Sequence, residues 1–141
     1  MKQELVQDWM TREVITIAPE TSLKEAHDLM RKKNIRRLPV VTHGTVLGIV
    51  TLGDIRGAEP SRASSLSVWE MNEMLAKLKV SEIMTRSPAT IRENESIGEA
   101  ARIMLEKKFS GLPVVDESDH LVGIITESDI FRLVVNEWHR D

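Results

Sequence analysis

The stretch GIVTLGDI at residues 48–55 decides the fold, because it returns as GIITESDI at residues 123–130. In each copy the pattern predicts an apolar strand that ends at a threonine, Thr51 or Thr126, followed directly by a helix. An aspartate three residues later falls in the first turn of that helix. The corner therefore brings together a hydroxyl, a carboxylate and the free backbone N–H groups of a helix N-terminus. A nucleotide, with its neighbouring sugar hydroxyls and a phosphate, carries the complementary groups.

The duplication extends over most of the chain. Shifted by 74 positions, residues 9–41 align with residues 83–115 and share 14 of 33 residues, including MTR and LPVV in both copies. Shifted by 75 positions, residues 46–55 align with residues 121–130 and share 5 of 10. Two copies are too few for a solenoid, which needs at least three repeats. A pair of repeats that share one core is therefore the simplest arrangement.

The composition is typical of a soluble globular protein, with 41% hydrophobic and 29% charged residues in a chain of 141. A net charge of −3 without a basic block argues against nucleic acid as the main partner. The lack of cysteine excludes disulfides and thiolate chemistry and makes the cytoplasm the expected location. The N-terminus has no apolar signal core, and no apolar run approaches the roughly 20 residues of a membrane span, so no membrane contact is expected.

The first repeat is predicted to run strand, helix, strand, strand, helix. Ser22 and Glu25 form a candidate capping box for the first helix, and Asn34 is its candidate C-cap. The His43-Gly44 pair is typical of a tight hairpin turn. The predicted elements are a β-branched strand at 14–17, a helix at 23–33, strands at 37–41 and 46–50, and a helix that begins between 52 and 54.

The second repeat follows the same order. Ser96 and Glu99 form a candidate capping box, and the acidic turn at 116–119 joins the two hairpin strands. The predicted elements are a strand at 89–91, a helix after Ser96, strands at 112–115 and 121–125, and a helix at 127–137.

A polar linker at 59–65 separates the repeats, and a capped helix with one apolar face follows it. Trp69 lies outside this face, so it either packs on its own domain or contributes to a dimer contact. The predicted division is repeat 1 at 1–59, a linker with a helix at 60–79, and repeat 2 at 80–141. The apolar face consists of Met71, Met74, Leu75 and Leu78.

From residue 6 to residue 135 the chain resembles a tandem pair of CBS domains (cystathionine β-synthase domains), also called a Bateman module. The resemblance rests on the strand and helix order, the twin LPVV strands, and the two Gly-h-h-Thr-x-x-Asp corners, where h is apolar. It implies an α+β fold in which two β-α-β-β-α repeats are related by a pseudo-two-fold axis and pack through their sheets. It also implies a stand-alone CBS-domain-containing protein, an interpretation that a start at Met1 favours over a detached part of a transporter or a dehydrogenase.

Members of this family generally act as regulatory sensors that bind AMP, ADP, ATP or S-adenosylmethionine between the repeats, and no other cofactor is expected. By resemblance, the corner aspartate binds the ribose hydroxyls, the corner threonine binds ribose or phosphate, and the base lies against the first strand of the other repeat. The resemblance thus implies two sites, one formed by Thr51 and Asp54 with Thr85 and Thr90, the other by Thr126 and Asp129 with Thr11 and Thr16.

A basic pair before the LPVV strand reaches the phosphates in many nucleotide-binding members of the family. Here Arg36 and Arg37 hold these positions in the first repeat, but Ser110 and Gly111 hold them in the second. The first site is therefore the one equipped for a phosphorylated ligand, since guanidinium groups suit phosphate geometry. Each residue also has a structural alternative: the aspartates could cap helices, the threonines could end strands, and the arginines could be solvated.

Three functions compete. The favoured one is a regulatory module that senses an adenine nucleotide and, by analogy with the family, forms a homodimer that acts on an effector protein. The alternative is a ligand-free interaction module, supported by the missing basic pair. An enzyme is the least expected, because no acid–base or nucleophilic constellation is present and the four histidines are too scattered for a metal site.

Overall fold

The computed structural model describes residues 4–59 and 66–139. Within these ranges the chain forms six helices and six strands, together with a 3-10 turn at Val80–Glu82. In chain order they are α1 (Val6–Trp9), α2 (Leu23–Lys33), β1 (Arg37–Thr42), β2 (Thr45–Thr51), α3 (Leu52–Ala58), α4 (Val68–Lys77), β3 (Thr85–Arg86), β4 (Ile91–Arg92), α5 (Ile97–Lys107), β5 (Gly111–Val115), β6 (Leu121–Thr126) and α6 (Glu127–His139).

These elements form two compact units whose boundaries differ from those of the sequence repeats. The Asp54 unit comprises Ile15–Pro88. The Asp129 unit comprises the described residues up to Val14 together with those from Ala89 onward. Each unit therefore takes most of one repeat and adds the first residues of the other repeat.

The sheet of the Asp54 unit has the order β1-β2-β3, and both strand pairs are antiparallel. Ile17 lies beside β1 in parallel orientation, where its N–H donates to the Pro39 carbonyl at 3.1 Å and its carbonyl accepts from the Val41 N–H at 2.9 Å. Side chains of the sheet and of α2, α3 and α4 bury one apolar cluster. Its members are Ile17, Leu23, Ala26, Met30, Leu38, Val40, Val50, Ile55, Leu75, Val80 and Met84.

The sheet of the Asp129 unit repeats this plan in the order β4-β5-β6. Strand β4 is parallel to β5, as Ile17 is to β1, and β5 is antiparallel to β6. Thr11 pairs with Ile124 on the far side of β6, in the position that β3 takes in the other unit. The core consists of Val6, Met10, Ile91, Ile97, Ala100, Met104, Leu112, Val114, Ile125 and Leu133.

The predicted strand at 14–17 is wrong in its extent, because only Ile17 forms a bridge. Two turns confine the segment. The Val14 N–H donates to the Arg12 carbonyl at 3.1 Å, and the Thr21 N–H donates to the Ala18 carbonyl at 3.1 Å. In the second repeat the strand covers Ile91–Arg92 rather than 89–91.

The helix ends follow the local sequence signals. Ser22 and Ser96 each accept a hydrogen bond from the backbone N–H three residues later, which confirms them as N-caps. Asn34 ends α2 in the left-handed region with φ of 54°, as predicted. The reciprocal half of the Ser96 capping box is replaced, because the Glu99 carboxylate binds Arg102 instead, and this hydrogen bond lowers the pKa of Glu99.

The two hairpins use different turns. His43 and Gly44 both have positive φ, at 51° and 81°, which is the two-residue turn that the sequence predicts. The second hairpin turns through 116–119, where Oδ1 of Asp116 accepts from the backbone N–H groups of Ser118 at 2.8 Å and His120 at 3.0 Å. The His120 N–H bond lowers the pKa of Asp116.

The glycine of each GIhT strand (h apolar) lies close to the MTR segment that pairs with that strand. A Cβ built on Gly48 would lie 2.7 Å from the Thr85 carbonyl oxygen, and one built on Gly123 would lie 2.9 Å from the Thr11 carbonyl oxygen. The sulfur of the preceding methionine would lie 2.6 Å away in both cases. Only glycine therefore lets the MTR segments pair with their neighbouring strands at this distance.

Helix α4 begins at Ser67, which forms a complete capping box with Glu70, as the sequence predicts. Leu75 is buried, and Met74 and Leu78 pack against the core of the Asp54 unit, whereas Trp69 is 67% exposed. Of the predicted polar linker, residues 60–65 lie outside the described residues. Among the described helices, none combines the length and the apolar character that a membrane span requires.

Candidate functional site

The first corner is a ring of two hydrogen bonds between Thr51 and Asp54. Thr51 ends β2 and is the N-cap of α3, and its Oγ1 accepts from the Asp54 N–H at 3.1 Å. The Thr51 N–H donates to Oδ2 of Asp54 at 2.9 Å. This capping box orients both side chains. Asp54 is half-buried and forms no ion pair with any described residue, so its Oδ1 is available to hydroxyl donors.

The same ring leaves the hydroxyl proton of Thr51 available, because Oγ1 acts as an acceptor within the ring. The backbone contributes less than the sequence suggests. The Leu52 N–H donates to the Arg36 carbonyl at 2.8 Å, and the Asp54 N–H is taken by Thr51. The expectation of free N–H groups is thus wrong for these two residues, and the corner offers a carboxylate and a hydroxyl instead.

The basic pair lies next to this corner. Arg37 is directly opposite Thr51 in the β1–β2 pairing, which puts their side chains on the same face of the sheet. Arg36 precedes the strand and is exposed, while Arg37 is half-buried. The pairing therefore places Arg37 on the face that carries the predicted hydroxyl.

Thr85 joins the same face of this unit. It pairs with Ile49 in the β2–β3 ladder, and Ile49 and Thr51 are two residues apart on one strand. Side chains two residues apart point to the same side of a sheet, so Thr85, Thr51 and Arg37 share a face. Thr85 is exposed there.

The second corner has the same sequence pattern but a different arrangement. Asp129 is 1% exposed. Strand β6 ends at Thr126, which is hydrogen-bonded to Asp129. Oδ2 of Asp129 accepts from the Thr126 N–H at 2.8 Å and from Thr126 Oγ1 at 3.2 Å. The hydroxyl proton of Thr126 is therefore used inside the corner, in contrast to that of Thr51.

An arginine that the sequence analysis missed completes this arrangement. The guanidinium of Arg132, three residues further along α6, forms an ion pair with Oδ1 of Asp129. Its side chain is otherwise 61% exposed. The signal was present as an Asp-x-x-Arg spacing in a predicted helix, which places the two side chains on one face. The aligned position in the first repeat is Gly57, which has no side chain to offer.

The positions around the second corner lack the basic side chains of the first corner. Gly111 is opposite Thr126, where the first unit has Arg37, and the Ser110 carbonyl accepts from the Glu127 N–H at 3.1 Å. Thr11 pairs with Ile124 and is exposed, in the position that Thr85 holds in the other unit.

Thr90 and Thr16 do not belong to the units that contain their predicted partners. Thr90 is part of the Asp129 unit, while Thr51 and Asp54 belong to the other one. Thr16 is part of the Asp54 unit, while Thr126 and Asp129 do not belong to it. Both threonines are exposed, and their contribution to a ligand site remains a prediction.

The fold and the paired corners define a duplicated strand-to-helix module, and a family model identifies it. The model, described as CBS domain, matches residues 6–61 and 80–136. These segments make up more than half of the chain, which therefore belongs to the CBS domain family. The fold class expected from the sequence is confirmed: each repeat supplies a sheet and helices, as in solved CBS-pair structures.

Two solved structures illustrate the likeness. The CBS domain pair of the protein MJ0100, in complex with 5′-methylthioadenosine and S-adenosyl-L-methionine, is 34% identical with a TM-score of 0.78. The alignment covers 96% of this chain and 99% of that one. CBSX2 of Arabidopsis thaliana, in complex with AMP, is 30% identical with a TM-score of 0.81, covering 95% and 98%.

Relatives of known sequence differ in length. A CBS domain-containing protein of Dictyostelium discoideum is 36% identical over 132 residues, which cover 93% of this chain and 91% of that protein. The chain spans only 47% of a 33% identical protein of Methanocaldococcus jannaschii. It spans 23% of an inosine-5′-monophosphate dehydrogenase of Korarchaeum cryptofilum, which is 37% identical.

Proposed function

We propose that this protein is a regulatory module that binds an adenosine-containing ligand (AMP, ADP, ATP or S-adenosylmethionine) at the first corner. The observation that carries the proposal is the half-buried Asp54 carboxylate, which forms no ion pair with any described residue and is held in place by Thr51. A carboxylate accepts two neighbouring hydroxyls through charge-assisted hydrogen bonds, each worth about 1.5–3 kcal/mol. The ligands of MJ0100 and CBSX2 all contain adenosine or a close derivative, which supports this ligand class.

Arg36 and Arg37 extend the proposal to the phosphate. The side chain of Arg37 lies on the face that carries Thr51, and Arg36 is exposed beside it. A phosphate bound here would find cationic groups on one side and the Thr51 hydroxyl on the other. The arginines therefore favour AMP, ADP or ATP over uncharged adenosine.

Ligand binding acts on a partner only through its different affinity for two states of the module. The proposed output is a change in self-association or in contact with an effector protein. The chain contributes regulation in this proposal, and no catalytic role is assigned to it. A cytoplasmic location remains a prediction.

We also propose that the protein forms a homodimer, with the exposed apolar face of α5 and α6 as the contact between copies. Leu105 is 82%, Phe131 62% and Trp138 74% exposed. Leu105 and Phe131, together with Phe109, line a groove of about 550 Å³. The aligned residues of Leu105 and Phe131 in the first repeat are Arg31 and Arg56, so this face is apolar in one repeat only. Sedimentation should show a dimer that Phe131→Ser weakens and that Arg56→Ser leaves intact.

The ligand proposal is tested by thermal-shift titration with AMP, ADP, ATP, S-adenosylmethionine, adenosine and GMP. A ligand at a hundred times its Kd stabilises the folded state by about 2.7 kcal/mol. We expect a saturable rise in Tm with at least one adenine nucleotide and none with GMP. Arg36→Gln should weaken AMP binding without weakening adenosine binding, and Lys33→Gln, an exposed charge on α2, is its matched control.

The ligand-free alternative predicts a different result. If no adenosine compound raises Tm at millimolar concentration while the protein still sediments as a dimer, the module acts through association alone. In the second corner Asp129 already pairs with Arg132 of the same chain, which supports the ligand-free alternative for that corner.

A further inference from the structure

The two corners differ at one position of the helix that follows them. Asp129 is followed three residues later by Arg132, whose guanidinium pairs with its Oδ1. Asp54 is followed three residues later by Gly57. A Cβ built on Gly57 meets no atom within 4 Å, so the space that Arg132 uses in one unit is open in the other.

The consequence is a count of hydrogen-bond acceptors. In the second corner, Oδ2 of Asp129 accepts from Thr126 twice, and Oδ1 is taken by the guanidinium. A carboxylate has about four acceptor positions, and three are occupied by groups of its own chain. Among the described residues, the first corner uses only Oδ2 of Asp54, which accepts from one N–H.

The threonine hydroxyls also differ, and again the second corner uses more of its own groups internally. Thr126 donates its hydroxyl proton to Asp129, whereas Thr51 accepts through its oxygen and keeps its proton. Asp129 is 1% exposed, while Asp54 is half-buried. A sugar with two neighbouring hydroxyls would have to displace Arg132 before it could bind the second corner.

We propose that Arg132 is a specificity-determining residue that closes the second corner to ligand hydroxyls, so that the chain binds one nucleoside at the first corner. This inference rests on the proposed function of the corners as sugar sites. The guanidinium occupies the acceptor that ribose requires, and Gly57 leaves the equivalent acceptor open. Selectivity between two corners with the same motif then depends on one residue outside the motif.

A reciprocal exchange tests this proposal. Arg132→Ala and Arg132→Gln remove the ion pair and are expected to lower Tm, because they leave the buried Asp129 carboxylate without its cation, so circular dichroism checks that each variant is folded. Gly57→Arg introduces the ion pair into the first corner, and Gly57→Ala is its control for the change of backbone and volume. Isothermal titration with AMP measures the number of sites per chain and their affinity for each variant.

We expect one AMP site per chain in the wild type and two in Arg132→Ala and Arg132→Gln. Gly57→Arg should weaken AMP binding at least tenfold, whereas Gly57→Ala should change it by less than twofold. A purely structural ion pair would lower Tm in the Arg132 variants without adding a site.

The outcomes separate this inference from the proposed function. If the wild type binds one AMP but the Arg132 variants gain no site and Gly57→Arg binds normally, the closure by Arg132 is overturned and the first site stands. If the wild type binds nothing while Arg132→Ala binds one AMP, the closure stands and the first site is overturned. If no variant binds any adenosine compound, both are overturned.

Discussion

The two strand-to-helix corners carry the same Gly-h-h-Thr-x-x-Asp pattern and yet present different chemistry. In the first, Asp54 and Thr51 hold each other by a capping box, and no other described residue is hydrogen-bonded to the Asp54 carboxylate. In the second, Asp129 is buried and satisfied by Thr126 and Arg132. A motif therefore fixes where a carboxylate lies, and the residues around the motif decide whether that carboxylate can bind anything.

The difference arises at two places outside the motif. Across the sheet from the corner threonine, the first unit has Arg37 and the second has Gly111. One turn along the helix, the first unit has Gly57 and the second has Arg132. In the first unit the arginine, Arg37, thus lies opposite the corner threonine. In the second unit the arginine, Arg132, pairs with the corner carboxylate itself.

The largest effect is expected where the two corners are alike. Gly48→Ala and Gly123→Ala would each place a methyl group within 3 Å of a backbone carbonyl, which cannot turn away as a side chain can. We expect each to lower the free energy of unfolding by about 3 kcal/mol, measured by urea denaturation.

Gly98→Ala provides the matched control, since the closest atom to its Cβ beyond the helix backbone and the adjacent residues is the hydroxyl oxygen of the N-cap Ser96, 3.8 Å away. It should raise stability by about 0.5–1 kcal/mol. An unchanged free energy of unfolding for either Gly48→Ala or Gly123→Ala would mean that the MTR segment does not approach that glycine as closely as described.

The next effect separates the two carboxylates. Asp129→Ala leaves the half-buried Thr126 N–H without its partner, and we expect a loss of about 2 kcal/mol in unfolding free energy. Asp54→Ala removes a half-buried cap and should cost about 1 kcal/mol. Equal losses in urea denaturation would contradict the difference in burial between the corners.

The hydroxyl groups of Thr51 and Thr126 are also expected to contribute differently to stability. Thr51→Val removes the acceptor for the Asp54 N–H while it keeps the shape of the side chain, and it should cost about 1 kcal/mol. Thr126→Val removes only a donor to Asp129, whose Oδ2 keeps the backbone N–H. We expect a smaller loss of about 0.5 kcal/mol in the same assay, and the opposite order would show that the two hydroxyls have been assigned the wrong roles.

The smallest effect concerns the hairpins, where only the second turn holds a carboxylate in backbone hydrogen bonds. The His120 N–H lowers the pKa of Asp116 below its usual value, so its ionised form stabilises the fold. This contribution is complete above the unfolded-state pKa of about 3.9 and is lost as the pH falls through the lower folded-state pKa.

Asp116→Asn should therefore lower the urea midpoint slightly at pH 7 and match the wild type at pH 2. Glu117→Gln in the same turn is the control and should change little. A difference between Asp116→Asn and the wild type that persists at pH 2 would assign the effect to the shape of the turn rather than to its charge.

The sequence predicts what local physics determines. Ser22, Asn34 and the His43-Gly44 turn all act as their residue types indicate, because caps and tight turns depend on a few neighbouring residues. The order of helices and strands within each repeat follows from apolar patterning together with the repeat, but β3 at Thr85–Arg86 is not among the predicted strands. The predicted ligand residues Thr51, Arg37 and Thr85 lie on one face of a sheet, which strand alternation makes predictable once the pairing is known.

The sequence does not predict what depends on distant contacts. The close approach of Thr85 to Gly48 joins residues far apart in the chain, and the glycine alone does not indicate which segment pairs with its strand. The extent of the strand at 14–17 depends on the turns around it. The pair between Asp129 and Arg132 is local, but whether it forms depends on how far the carboxylate is buried.

The most direct test of the central claim is isothermal titration of AMP into the wild type, Asp54→Ala and Asp129→Ala, with folding of each variant checked by circular dichroism. We expect one AMP site per chain in the wild type, no AMP binding to Asp54→Ala, and an unchanged AMP site in Asp129→Ala. Binding that survives Asp54→Ala and disappears in Asp129→Ala would contradict it, and would place the ligand at the corner that Arg132 is proposed to close.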